Sequence, residues 1–220
     1  MQAYIDNRGE LMLKMRKKDI AYEKIKELIL DREYMKNHNI SENFLAEKLE
    51  MSRTPVREAL QRLQVEGFIE IFPNRGIALR DVTVLEANEI FDLRMAIEEF
   101  VVKNVSPLLT DKHFREIDRN LSFQKQAIEK GDVTEYLQYD RDFHDCFLQI
   151  YSNSLIIFTA KRVQDRFFSV GVNVLKGPGS VERSFRHHCE IVEALRKDDS
   201  KMAVEAMHLH LLTGKRNLMA

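Results

Sequence analysis

The run Ser52-Arg53-Thr54-Pro55-Val56-Arg57-Glu58-Ala59-Leu60 constrains this chain more than any other stretch, because it starts a short helix abruptly with two arginines at its front end. Thr54 is placed to cap the orphan amides of the first turn, and Pro55 suits the first helical position, where its missing N–H has no partner to lose. Beyond it Val56, Ala59, Leu60, Leu63 and Val65 recur at helical spacing, while Arg57, Gln61 and Gln64 fall toward another side. One face packs and the other is presented.

The flanks of this helix say what it is presented to. Ser41 to Leu49 is a second short amphipathic helix with Ser41 as its cap, and Glu50-Met51-Ser52 joins it to the arginine-bearing one, which is helix-turn-helix spacing. Gly67 is a C-terminal stop. Phe68–Phe72 and Ile77–Arg80 then read as two strands about the turn Pro73-Asn74-Arg75-Gly76, a hairpin that puts Arg75 at its tip. Helix, turn, helix, hairpin is the order of a winged helix-turn-helix. Arginine pairs bidentately with guanine O6 and N7, so Arg53 and Arg57 are expected to read bases, while Thr54, Asn43 and helix N-terminal amides position phosphates.

On these residues, the segment from about Tyr22 to Leu79 resembles the DNA-binding domain of the GntR family of bacterial transcription regulators. The resemblance implies operator contacts from Arg53, Thr54 and Arg57, and from Arg75 and Gly76 in the wing. The region 31–39, Asp-Arg-Glu-Tyr-Met-Lys-Asn-His-Asn, departs from the Gly-x-x-x-Pro-Gly segment frequent in such relatives, so a different loop is expected there.

A length of 220 residues with 44% hydrophobic content can make more than one core, and the expected organisation is a winged domain over 1–80, a linker at 81–83 and a helical domain over 84–220. The net charge of −1 divides unevenly. Residues 1–80 hold fifteen Lys and Arg against thirteen Asp and Glu, and residues 81–220 hold nineteen against twenty-two. That small N-terminal excess permits DNA binding through a local basic face. Arg16-Lys17-Lys18 is either a further phosphate contact or a solvated face. With no long apolar run and no apolar core at the N-terminus, neither a membrane span nor a signal peptide is read, and a cytoplasmic protein is expected. Cys146 and Cys189 are expected as reduced core residues.

Beyond the linker no β signal appears. The spacing predicts helices over about 84–105, with Ile90, Leu93, Ile97, Phe100 and Val101 as a core stripe, then 111–130, 133–151, 154–176, 181–196 and 200–216. Asp132 and Glu135 are expected to form a capping box. Asp140 and His144, four residues apart, share one helix face and can grip one cation, while His188 and His210 lie on or beside apolar stripes of the last two helices. Three imidazoles and a carboxylate suit zinc or another divalent transition metal such as nickel or manganese; the bland alternative is a set of buried, hydrogen-bonded histidines. His187 and His208 are rotated away from the same centre, and His38 and His113 are expected at the surface.

Asp140-x-x-Phe143-His144, His188-x-x-Ile191-x-x-Ala194-Leu195 and Ala203-x-x-x-Met207-x-x-His210 resemble the FCD ligand-binding domain of the FadR-like branch of the GntR family, from about Ile90 to Leu211. The resemblance implies an all-helical bundle in which Asp140, His144, His188 and His210 hold a metal beside a small organic acid. Weaker matches, Asp92-Leu93-Arg94-x-x-Ile97-Glu98 and Tyr151-Ser152-Asn153, make Arg94 and Asn153 candidates for effector binding; an Arg94 salt bridge to Glu98 is the equal alternative.

The expectation is a mainly α homodimeric repressor, not an enzyme, that places the helix after Ser52 on each half of a short palindromic operator of double-stranded DNA and answers to a small carboxylate. Two competing readings are a metal sensor and a metal-dependent hydrolase or lyase fused to a DNA-binding module.

Overall fold

Tyr22, Ile25 and Ile29 recur three and four residues apart and give helix α1 (Lys17–Leu30) one buried side. They pack with Ile40, Leu45, Val56, Leu60, Leu63 and Ile69 into a single core. The computed structural model describes residues 3–5, 11–13, 16–30, 40–72 and 75–219, and its contacts divide the chain into two units, Met1–Asp81 and Val82–Ala220. The loop at 31–39, with His38, and the turn residues Pro73 and Asn74 lie outside the described residues.

In the first unit α2 (Glu42–Lys48) begins as expected, with Ser41 Oγ accepting from the Phe44 amide at 3.2 Å. Helix α3 (Arg53–Val65) begins two residues earlier than expected: Ser52 takes the N-cap position without a side-chain cap bond, Thr54 lies exposed in the first turn, and Pro55 is buried at its third position. None of the first four amides has an intrahelical partner, so proline is tolerated throughout that turn and does not mark its start. Val65 is 88% exposed, and the packed stripe ends at Leu63.

Gly67, at φ +77, takes the left-handed turn from α3 toward the hairpin. Strand β3 (Ile69–Phe72) pairs antiparallel with β4 (Gly76–Leu79), Ile69 facing Leu79 and Phe72 facing Gly76, and the Ile77 amide donates to the Ile40 carbonyl at 2.9 Å. A second antiparallel pair, β1 (Ala3–Ile5) with β2 (Leu11–Leu13), was not expected; three residues are too few for a period of two to register.

In the second unit α4 (Val84–Val105) opens on a capping box, Thr83 Oγ1 accepting from the Glu86 amide and Glu86 accepting from the Thr83 amide. Its expected stripe is corrected. Ile90, Phe91, Arg94, Glu98, Val101, Val102 and Val105 are buried, whereas Leu93 and Phe100 are 41% and 48% exposed. The inward face is rotated by about one residue because it carries an ion pair, which hydropathy assigns to solvent.

Helices α5 (Asp111–Lys130), α6 (Val133–Tyr151), α7 (Ser154–Val174), α8 (Ser180–Arg196) and α9 (Ser200–Met219) complete the bundle. Only half of the box expected at Asp132 forms: its side chain caps the Glu135 amide at 2.9 Å, while the Glu135 carboxylate turns to Lys130. Helix α9 packs on α4 and α8, and α5 packs on α6 and α8. Cys146 and Cys189 are free thiols, each partly buried. Among the described residues no helix is long and apolar enough to cross a membrane.

Candidate metal centre and nucleic-acid interface

Three helices deliver four side chains to one point. Asp140 and His144, one turn apart on α6, meet His188 from α8 and His210 from α9; one ligand atom from each lies within 4.8 Å of the others, and all four residues are buried. His188 Nε2 stands 3.4 Å from Asp140 Oδ1, and the Nε2 atoms of His144 and His210 are 3.2 Å apart. Four ligands at bond lengths of about 2.0–2.1 Å and near-tetrahedral angles leave donor atoms about 3.3 Å apart, the spacing of these two pairs.

A surrounding layer aims the rings. His188 Nδ1 lies 2.8 Å from Gln124 Oε1 on α5, an acceptor, so this nitrogen carries the proton and Nε2 offers a lone pair inward. Gln124 is held in that orientation because its amide nitrogen donates to Asn120 at 2.7 Å, and Asn120 donates to the Tyr139 carbonyl. His144 Nδ1 stands 2.6 Å from Glu98 Oε2, and Arg94 Nε donates to Glu98 Oε1 at 2.7 Å. Phe143 stacks on His188 with centroids 4.2 Å apart.

Burial would raise Glu98, but the Arg94 guanidinium and then the His144 ring outweigh it and hold the carboxyl well below the usual range. Burial, then His144, pushes His188 well below the ordinary histidine value; burial, then His188, does the same to His210. Asp140 is raised by burial despite His144. The arrangement therefore favours the neutral forms of His188 and His210, with His188 Nε2 lacking any protein hydrogen-bond partner. Burying such atoms without partners is costly in an apolar bundle, and a divalent cation is one group that would satisfy all of them at once.

Beside the cluster is a cavity of about 30 Å³, lined in part by Arg94, Asp140, His187, His210, Thr213 and Asn217. Of the two roles left open for Arg94, the Glu98 pair is made, and the guanidinium also faces the cavity, stacked 4.2 Å from the Phe167 centroid. His187 stays outside the four-residue cluster, as expected; it is buried, lines the cavity and has its ring 6.1 Å from that of His210, because a rotation of about 100° around α8 turns it to the neighbouring cavity. Asn153, expected as an effector contact, lies apart from this cavity. It is exposed, is absent from the cavity lining, and caps α7 through Oδ1, which accepts from the amides of Leu155 and Ile156 at 3.1 Å each. His208 and His113 lie elsewhere, against Glu99 and in the cap of α5. Glu98 and Gln124 were not singled out as parts of the site in the sequence, since neither residue type at a helix interior signals burial.

The first unit presents a different surface. Arg53, Thr54 and Arg57 are exposed on the first two turns of α3, Asn43 on α2, and Arg75 beside Gly76, whose φ is +99. A groove of about 690 Å³ runs between α3 and the wing, with Glu42, Asn43, Arg57, Gln61, Arg75 and Gly76 on its walls. Arg57 forks onto Glu42, Nε to Oε2 at 3.0 Å and Nη2 to Oε1 at 2.8 Å. The Arg16 to Lys18 run is partly spoken for, Arg16 by Asp19 and Lys18 by Glu58.

A winged helix-turn-helix followed by an all-helical bundle with a buried histidine cluster defines a class of two-part DNA-binding regulators. Residues 17–79 match the family described as bacterial regulatory proteins, gntR family, and residues 89–213 match the FCD domain, so the chain belongs to the GntR family of transcription regulators and carries an FCD domain. It is 29% identical over 175 residues, 78% of this chain and 75% of the other, to the HTH-type transcriptional repressor RspR of Escherichia coli K12. It is 26% identical over 174 residues, 77% and 71%, to the gluconate operon transcriptional repressor of Bacillus licheniformis. Among solved structures, E. coli McbR/YncC superposes with a TM-score of 0.78 at 19% identity, covering 93% of this chain and 98% of that one, a likeness of fold. The two named relatives are called transcriptional repressors, and the matched families are of regulators, not enzymes.

Proposed function

We propose that this regulator is a homodimeric repressor whose hold on a short palindromic operator is set by a small carboxylate bound beside a divalent metal in the helical unit. The observation that carries the reading is the convergence of Asp140, His144, His188 and His210 on one point at the wall of a cavity that also exposes Arg94. Asp140, His144, His188 and His210 would hold the ion, zinc, nickel or manganese; when bound, it supplies a coordination position for a carboxylate oxygen. Arg94 offers the second anchor, its guanidinium held in place by Glu98 and Phe167. Thr213 and Asn217 add neutral hydrogen-bonding groups, which suits a hydroxylated acid, and one relative is named for a gluconate operon.

The cavity has room for only about one or two waters, so an acid must spread the helices around it. That gives the ligand different affinities for two arrangements of the bundle, which is what control requires. Helix α7 is placed to carry the change: Phe167 lines the cavity, and its neighbour Arg166 donates to Glu86 at 3.2 Å, the residue that caps α4 immediately after the linker. Relief of repression by the acid is the sign that fits the relatives named as repressors.

The test is a thermal-shift screen of mono-, di- and hydroxycarboxylates on the purified protein, with and without prior chelation, since stabilisation follows occupancy. The reading expects one acid to raise the melting temperature and chelation to abolish that rise. Stabilisation that survives chelation removes the metal from the pocket, and chelation that destabilises a protein no acid shifts would favour a metal sensor.

A further inference from the structure

An acidic side chain stands where a DNA-binding groove least tolerates one. Glu42, the first residue of α2, faces the groove beside α3 and the wing, together with Asn43, Gln61 and Arg75. A carboxylate there repels phosphates and weakens every duplex alike. Its exposed ion pair with Arg57 adds little stability, because both partners are solvated. The cost to binding must be offset by something the pair does for recognition.

The geometry of the fork supplies it. Glu42 takes the side edge of the Arg57 guanidinium, Nε at 3.0 Å and Nη2 at 2.8 Å, using two of five N–H donors. The three that remain include the parallel pair on the end edge, Nη1 and Nη2, the edge that spans guanine O6 and N7. A guanidinium clamped by its side is pre-oriented to present its end, and loses less freedom when it docks. We propose that Glu42 is a positioning residue for DNA recognition: it fixes Arg57 as a base reader and keeps it off the phosphates, giving up general affinity for sequence discrimination. This rests on Arg57 reading a base. The carboxyl of Glu42 is held below its ordinary value by this fork, so the pair stays charged across the physiological range.

The experiment uses the full-length protein. Duplexes are selected from a random library, and affinities are then measured for the selected duplex and a scrambled one with wild type, Glu42→Ala, Glu42→Gln, Arg57→Ala and the Glu42→Ala/Arg57→Ala double variant. Glu42→Ala is expected to lower the selected-to-scrambled ratio about tenfold, with affinity for the scrambled duplex unchanged or raised. Reselection with Glu42→Ala should lose preference at the same base pair that Arg57→Ala relaxes. Glu42→Gln, which keeps one acceptor, should fall between, and Glu42→Ala should change nothing further in the Arg57→Ala background.

An unchanged ratio with both affinities raised would make Glu42 a mere competitor for Arg57 and overturn the proposal. A parallel fall on both duplexes with a lowered melting temperature would overturn it in favour of a structural role. If Arg57→Ala itself leaves the ratio intact, the base-reading assignment fails and the positioning role fails with it; a ratio lost in Arg57→Ala alone sinks only the positioning role.

Discussion

Arg57 and His188 stand at opposite ends of one design problem. The Arg57 side chain is 60% exposed, its only described partner is a solvated carboxylate, and it sits on a helix whose other side fills a core. His188 has no exposed surface; a glutamine holds one nitrogen, a phenylalanine stacks on the ring, and the second nitrogen points at an aspartate. The winged unit keeps working groups apart from its packing, so they can change without touching the fold. In the helical unit the working groups are the packing, and every change there is also a change in stability.

The sharpest way to break this contrast is Glu98→Ala. It removes the carboxylate that pairs with Arg94 and faces His144, leaving a buried guanidinium uncompensated. Loss of one partner of a buried pair costs about 3–5 kcal/mol, and denaturant unfolding of the variant should show a loss of that size. A loss under about 1 kcal/mol would mean that water reaches Arg94 and that the centre is not sealed.

Arg57→Ala is the counterpart. Affinity for a selected operator should fall roughly 10- to 100-fold, the range for one good bidentate pair, while the melting temperature holds. Equal weakening on scrambled DNA would mark Arg57 as a phosphate contact, and a lowered melting temperature would show that the units do not differ in the way described.

Acid should separate the units as well. His188 and His210 are depressed in the folded protein, so between the ordinary histidine value of about 6.5 and their lower folded values the unfolded chain binds more protons. Their contribution is therefore present above about pH 6.5 and lost as pH falls below it. Asp140, raised by burial, acts in the opposite sense. Lowering pH from 7 to 5 should destabilise the helical unit and loosen any bound metal, whereas the described residues of the winged unit include no histidine. Metal content and melting temperature unchanged at pH 5 would contradict neutral imidazoles at the centre.

How far each site was legible follows from the same contrast. Three of the residues proposed to meet DNA, Arg53, Thr54 and Arg57, fall within five positions, and Ser41, Gly67 and Gly76 punctuate the flanking elements by local rules. Asp140 and His144 were legible as one turn of one helix. Their grouping with His188 and His210 rested only on the placement of those histidines along apolar stripes until the family pattern supported it, since nothing local links α6 to α8 and α9. What no period revealed is the supporting layer, Glu98 and Gln124, and the rotation of α4 that exposes Leu93 and Phe100. Hydropathy counts a charge as outward, so a buried ion pair turns the inferred face of a helix away from its true one.

Asn153 gives the smallest effect and the finest test of that lesson. The family pattern offered it as an effector contact, yet its Oδ1 accepts the first free amides of α7 at an exposed turn, and the cavity lining does not include it. As a cap it should cost about 1 kcal/mol on replacement by Ala, within the usual range for losing such an acceptor. The acid-induced thermal shift should survive in Asn153→Ala, offset only by the lower starting temperature. Should the shift disappear while metal content and fold persist, Asn153 would have to reach the ligand in a second arrangement of the bundle, and the working groups of the helical unit would no longer all be buried ones.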